Sequence, residues 1–175
     1  MSTLKYLSAY SPDLQAQVQG LIDDNRLDRF LLDKYPTIHS VANDKALRDF
    51  VLGLKQTYLK KSDALSKIVY DPKIHVVNNA LGTHSFVSRV QGHKLKSKNE
   101  IRISTLFKKT PAEFLQMIVV HELAHLKEKD HNKAFYQLCR HMLPAYHQLE
   151  FDLRVYLTYV ERYGNLYNGS ADQAL

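Results

Sequence analysis

The run Phe114-Leu115-Gln116-Met117-Ile118-Val119-Val120-His121-Glu122-Leu123-Ala124-His125-Leu126 constrains this 175-residue chain more than any other segment. It follows Thr110-Pro111-Ala112-Glu113, which reads as a capping box with proline at the first helical position. The segment is therefore expected to be a helix, with Leu115, Ile118, Val119, Leu123 and Leu126 on its buried face. His121 and His125 then stand one turn apart and about 40° apart around the axis, so their imidazoles share a face.

Two imidazoles in that relation can reach one Zn2+ at about 2.0–2.1 Å. Glu122 flanks the open coordination position rather than joining the ligands. There it is expected to act as the catalytic acid/base, taking a proton from metal-bound water and passing it to a leaving group. A third ligand is needed, and the sequence leaves it open. His131 lies in Asp130-His131-Asn132, where a turn would bring it back to the metal. Glu150 from the last helix is its main competitor, and Asp130 is another. The spacing resembles that of metzincins, but Glu128 stands where those have glycine, so the turn must form differently. Met142 is read as core, and Cys139 as a buried, inert thiol.

Around this helix the pattern is α+β. Ser11-Pro12-Asp13 starts one helix, a second stops before Pro36, and Asp44 caps a third. Lys67–Tyr70 and Ile74–Val77, joined by Asp71-Pro72-Lys73, read as a hairpin, and Phe86–Val90 and Ile101–Ser104 as two more strands of a small, mostly antiparallel sheet. Asn132 caps a helix that ends before Pro144, and Gly164 ends the last one. The expected organisation is one metallohydrolase domain over 1–163, with a helical N-terminal part (1–62) and a catalytic core (63–163). Residues 164–175 are expected to be a flexible tail.

Charge adds a narrower clue. The chain has 24 Lys+Arg against 18 Asp+Glu, a net +6. Seven of the basic residues (Arg89, Lys94, Lys96, Lys98, Arg102, Lys108, Lys109) fall between 89 and 109, with Glu100 the only acid among them. A basic rim there would attract phosphates or an acidic chain. Arg89, in a strand between apolar neighbours, is the candidate for contacting substrate. Tyr136, His141, Tyr146 and His147 are within reach of the site from the following helices, as core, as support or as groups that polarise substrate. A lone cysteine, no basic-then-apolar leader and no apolar run of membrane-spanning length fit a cytoplasmic protein without a membrane partner. Modest charge and no recognition motif make a nucleic-acid partner the weakest of the function classes.

The quoted metal-helix block, with His131-Asn132-Lys133-Ala134-Phe135-Tyr136, Ser88-Arg89-Val90-Gln91-Gly92 and Glu100-Ile101-Arg102-Ile103-Ser104, resembles the YgjP-like family of metal-dependent hydrolases. Many members carry Arg-Trp-Gly-Ser-Cys-Ser where this chain has Arg89-Val90-Gln91-Gly92-His93-Lys94. The resemblance implies a zincin-like fold and zinc held by His121, His125 and His131, with Glu122 as acid/base. It implies a metallopeptidase, or alternatively a UTP pyrophosphatase releasing UMP and diphosphate. The second reaction would also draw on Mg2+ carried by the nucleotide.

Overall fold

The structure is a computed structural model and describes residues 4–74, 88–91 and 99–167. Six α-helices and three strands are found among them: α1 (Pro12–Asp23), α2 (Leu27–Lys34), α3 (Asp44–Tyr58), β1 (Leu65–Asp71), β2 (Ser88–Gln91), β3 (Asn99–Ser104), α4 (Ala112–Ala124), α5 (Lys133–Met142) and α6 (Tyr146–Tyr163). A short 3-10 helix, Thr105–Lys109, links β3 to α4. None of the described helices is long and apolar enough to cross a membrane.

The sheet has the order β1-β3-β2. It corrects the expected mostly antiparallel arrangement, because β1 runs parallel to β3 while β2 runs antiparallel to it. A parallel neighbour needs a crossover rather than a tight turn. Accordingly the turn at Asp71 closes only a local loop, with Lys73 N–H donating to the Asp71 carboxylate and Ile74 N–H to the Asp71 carbonyl. The proposed hairpin partner continues through residues 75–77, outside the described residues.

α4 is apolar on all sides, the mark of a helix enclosed by protein. Phe114, Leu115 and every residue from Met117 to Ala124 are buried. That is more than the single face expected from the sequence. α5, α6, the sheet and α3 pack around it. Phe114 meets Tyr35 from the end of α2 at 4.8 Å between ring centroids and Tyr156 of α6 at 5.6 Å. Two polar ties hold the frame. Asp152, wholly buried in α6, accepts from the Tyr35 hydroxyl and, at 2.7 Å, from Lys34 Nζ, locking α2 onto α6. His39 takes the Val41 N–H on Nδ1 at 2.9 Å and donates from Nε2 to the Phe107 carbonyl at 2.6 Å, pinning the α2–α3 connection to the turn that launches α4.

The helix starts differ in detail from the sequence reading. Ser11 Oγ and Asn132 Oδ1 accept from Leu14 and Phe135 N–H at 3.4 and 2.8 Å, the capping bonds their positions predicted. Asn43, not Asp44, caps α3, accepting from Ala46 N–H at 2.8 Å. Asp44 instead accepts the Tyr70 N–H of β1 at 2.9 Å, tying the sheet to that helix. At α4 the N-cap is Pro111, with no side-chain capping bond, and Thr110 Oγ1 turns back to the Phe107 carbonyl at 3.3 Å. α6 stops at Gly164, whose φ of 79° lies where glycine is favoured. Just beyond it, Tyr167 is buried and donates its hydroxyl to the Tyr35 carbonyl at 2.7 Å, so the first residues past α6 dock on α2 rather than hang loose.

Candidate metal centre

His121 lies within α4 and is 1% exposed; His125 is the C-cap residue of the same helix. The chain then folds back on itself through Leu126, Lys127 and Glu128, whose N–H groups bond to Leu123 and Ala124 carbonyls at 2.9–3.1 Å. Glu128, standing where metzincins have glycine, completes this turn without a left-handed backbone. The only described residues at positive φ are Asn25 and Gly164. Asn132 N–H then donates to the Asp130 carbonyl at 2.8 Å, and the Asn132 cap starts α5. Between these two helices His131 is held over the end of α4.

The result is a convergence of three imidazoles. His131 Nε2 lies 3.1 Å from His125 Nε2 and 3.3 Å from His121 Nε2. The ring centroids form a nearly equilateral triangle of 4.9–5.1 Å. Nitrogens bound tetrahedrally to one Zn2+ at about 2.0–2.1 Å would stand about 3.3–3.4 Å apart. The spacing of this set fits a metal ion closely. The donor chemistry fits as well, because His125 Nδ1 donates to the Glu128 carbonyl at 3.0 Å and leaves its Nε2 lone pair facing the other two rings. Burial also holds His125 below the ordinary histidine pKa, against the smaller opposing pull of the Glu128 and Lys129 carbonyls, and so favours the neutral ring a metal needs.

Phe135, on the first turn of α5, is the wall behind all three rings, with centroid separations of 5.0 Å to His121, 4.7 Å to His125 and 4.9 Å to His131. In the sequence Phe135 stands out only as part of the family block, because His131 precedes the Asn132 cap and shares no helical face with it. Glu122 is wholly buried, and its Oε1 stands 4.0 Å from His121 Nε2. A carboxylate oxygen sharing the same metal would stand about 3.3–3.5 Å from that nitrogen. The observed distance is longer than that and leaves Glu122 beside His121 Nε2.

The remaining candidates sort by geometry. Glu150 is not with the three imidazoles. It is 6% exposed in α6, four residues on from Tyr146, whose hydroxyl meets His121 Nδ1 at 2.7 Å. Tyr146 is thus on the far side of the His121 ring from Nε2, where it cannot polarise a substrate. Tyr136 and His147 face each other at 5.4 Å, and His141 packs on Tyr58 at 5.7 Å. Met142 and Cys139 are buried, and burial pushes the Cys139 thiol up to about 12.

The basic segment divides. Arg102 is engaged by Glu100 at 3.1 Å and Asp71 at 3.2 Å. The Lys108 ammonium lies over the Tyr70 ring at 5.4 Å. Lys108 and Lys109 line a groove with Thr105 and Tyr156 at the start of α4. That is about 13 Å along the helix from His121 at 1.5 Å per residue. Lys94, Lys96 and Lys98 lie outside the described residues. Arg89 is placed by its backbone only, in β2 opposite Arg102 of β3; its side chain is outside what is described. β2 does run against α4, the helix that carries His121.

A sequence profile of the YgjP-like metallopeptidase domain matches residues 83–156, the stretch that holds β2, β3, α4, α5 and the three histidines. The chain belongs to the YgjP-like family and is a metal-dependent hydrolase. Among its relatives, the UTP pyrophosphatase of Escherichia coli (strain K12) is 57% identical over 158 residues, covering 90% of this chain and 95% of the relative. No solved structure matches the chain.

Proposed function

We propose that this protein is a zinc-dependent hydrolase of UTP, releasing UMP and diphosphate, with His121, His125 and His131 as the ligands of a zincin-like site and Glu122 as its acid/base. The observation that carries the substrate is the extent of the relationship to the UTP pyrophosphatase, 57% identity along nine-tenths of the chain. The convergence of the three Nε2 atoms supports the ligand set.

A zinc ion held by His121, His125 and His131 would supply Lewis acidity at the site. The rest is done by the chain. Glu122 accepts the proton of the attacking water as its oxygen bonds to the α-phosphorus. The bond from that phosphorus to the bridging oxygen breaks, and the proton passes to the departing diphosphate. The buried position of Glu122 keeps its carboxylate oriented and excludes competing solvent. Arg89, on the strand that borders α4, is assigned to the phosphates, where a guanidinium offers paired donors to two oxygens. A triphosphate would also arrive with Mg2+.

A second reading, peptide hydrolysis, is favoured by the metallopeptidase match over residues 83–156. In that reaction Glu122 would carry the proton from water to the leaving amine. The two are separated by a product assay on zinc-loaded protein with UTP, the other common nucleoside triphosphates and a peptide library, with Glu122→Gln alongside. The proposal expects UMP and diphosphate in equal amounts, falling about 10²- to 10⁴-fold in Glu122→Gln. Glu122-dependent peptide cleavage with UTP untouched would replace it with the second reading.

A further inference from the structure

A cavity lies away from the metal centre, where the end of α1 and the start of α2 meet the last turns of α6. Its volume is about 110 Å³, and Ile22, Asn25, Leu27, Asp28, Tyr159 and Tyr163 line it. Tyr159 stands about 20 Å along α6 from Tyr146, the tyrosine against His121, so this cavity is separate from the three histidines. Its walls follow from the local sequence. α1 ends on Asn25, whose φ of 53° is left-handed, with Asn25 N–H donating to the Ile22 carbonyl at 3.1 Å and Arg26 N–H to the Leu21 carbonyl at 2.8 Å. That is the Schellman arrangement, in which glycine is usual and asparagine the alternative. Asparagine there adds an amide that glycine would lack.

Asp28, in the first turn of α2, accepts the Arg29 N–H on Oδ1 at 2.7 Å. Among the described residues no lysine or arginine is paired with it, and the nearby Arg26 is taken by Asp24 at 3.0 Å. Across the cavity Tyr159 and Tyr163 stand one turn apart on α6, their ring centroids 5.0 Å apart at 44°, and Tyr163 is 52% exposed. Buried Ile22 and Leu27 supply the apolar part of the lining. Two phenol rings, a carboxylate and an amide beside apolar side chains suit an organic cation. Ring faces attract positive charge, while carboxylate and amide oxygens accept N–H donors. An anion would meet Asp28, and a wholly apolar ligand would leave that carboxylate without a partner. Size narrows the choice. At about 30 Å³ per water-sized group, the cavity takes about three to four heavy atoms, an ammonium group with a short carbon stem. The rest of a longer ligand stays outside.

We propose that this cavity binds the terminal ammonium of an alkylamine, with the rings of Tyr159 and Tyr163 against the cation and Asp28 as its counter-charge. The site is independent of the metal centre and of the reaction carried out there. It gives a use to an exposed tyrosine beside a carboxylate that no described cation neutralises.

The test is a titration of the 15N-labelled full chain with n-propylammonium at constant ionic strength, followed by 1H–15N spectra, beside 1-propanol as the neutral counterpart of the same size. Propylammonium should shift the backbone amides of Asn25, Leu27, Asp28 and Tyr163 saturably, in the millimolar range open to so small a ligand. Propanol should bind about 5-fold more weakly or worse. Asp28→Asn keeps an acceptor for Arg29 N–H, so α2 starts as before, and it should weaken propylammonium about 2- to 5-fold while leaving propanol unchanged. Tyr163→Leu keeps apolar bulk at an exposed position but removes the ring face, and should weaken propylammonium by a similar factor. Unchanged amide shifts elsewhere check that both variants are folded. Spermidine and an N-acetyl-lysine amide present the same head group as a free polyamine and as a protein side chain, and the tighter of the two identifies the source. Equal affinity for propylammonium and propanol, shifts that do not saturate or that fall outside the cavity, or variants that bind propylammonium as wild type does, would each overturn the proposal.

Discussion

Phe135 offers the sharpest quantitative consequence of the geometry. Its ring is wholly buried and backs all three histidines, at 4.7–5.0 Å. A buried phenylalanine removes about 150–250 Å² from water. At about 25 cal/mol per Å² that is about 4–6 kcal/mol, and a compact unfolded chain brings it to about 2–6 kcal/mol. Measured Phe→Ala costs of about 3–5 kcal/mol in cores agree. In a domain of this size each kcal/mol is worth about 2–4 °C, so Phe135→Ala should lower the melting temperature of metal-free protein by roughly 6–20 °C. Phe135→Leu, which keeps most of the volume, should cost less than about 1.5 kcal/mol. The assay is thermal unfolding followed by circular dichroism, run with chelator-competition titration of zinc at a temperature where both variants are folded. Zinc affinity should fall in both, more in the alanine variant, because three ligand rings lose a common wall. A drop below about 3 °C with wild-type zinc affinity would refute the reasoning.

Two further consequences follow from single bonds. Asn132→Ala removes the cap of α5 next to His131 and should cost about 1 kcal/mol in urea unfolding, with zinc bound more weakly; an unchanged midpoint would count against the cap. His39 is held below its ordinary pKa of 6.5 mainly by burial, against the pull of the Phe107 carbonyl. The unfolded chain therefore takes that proton first. The contribution is constant above about pH 6.5 and is lost as pH falls from there toward the lower folded value. His39→Gln should flatten this part of the stability–pH curve between about pH 7 and 5, and equal slopes in the two proteins would contradict it.

Much of the site was legible in the sequence because it is local. His121, Glu122 and His125 follow from helix geometry, and His131 stands a short turn away, closed by the Asn132 cap that the residue type announces. The choice between His131 and Glu150 was not local. It depends on how α6 crosses α4 and α5, which brings Tyr146, four residues before Glu150, against the imidazole of His121. The same holds for the sheet. β-branched runs mark β1 and β3, but parallel pairing is set by long-range register, such as Ile68 opposite Ile101. Three residues of the basic segment are placed differently for a similar reason. Proximity in sequence put Arg102, Lys108 and Lys109 with the site, whereas the fold pairs Arg102 with Asp71 and Glu100 and carries the two lysines to the other end of α4. Burial of α4 on all sides also exceeded its periodic signal, because enclosure by four neighbours needs no polar face.

The central claim is that the three histidines hold the ion while Glu122 moves the proton. It is tested most directly by measuring metal content and UTP turnover on the same preparations of wild type, His121→Ala, His125→Ala, His131→Ala and Glu122→Gln. Each histidine variant should lose both the metal and the turnover, while Glu122→Gln keeps about one metal per chain and loses turnover by about 10²- to 10⁴-fold. Histidine variants that retain metal, or a Glu122→Gln protein that hydrolyses UTP at the wild-type rate, would contradict it.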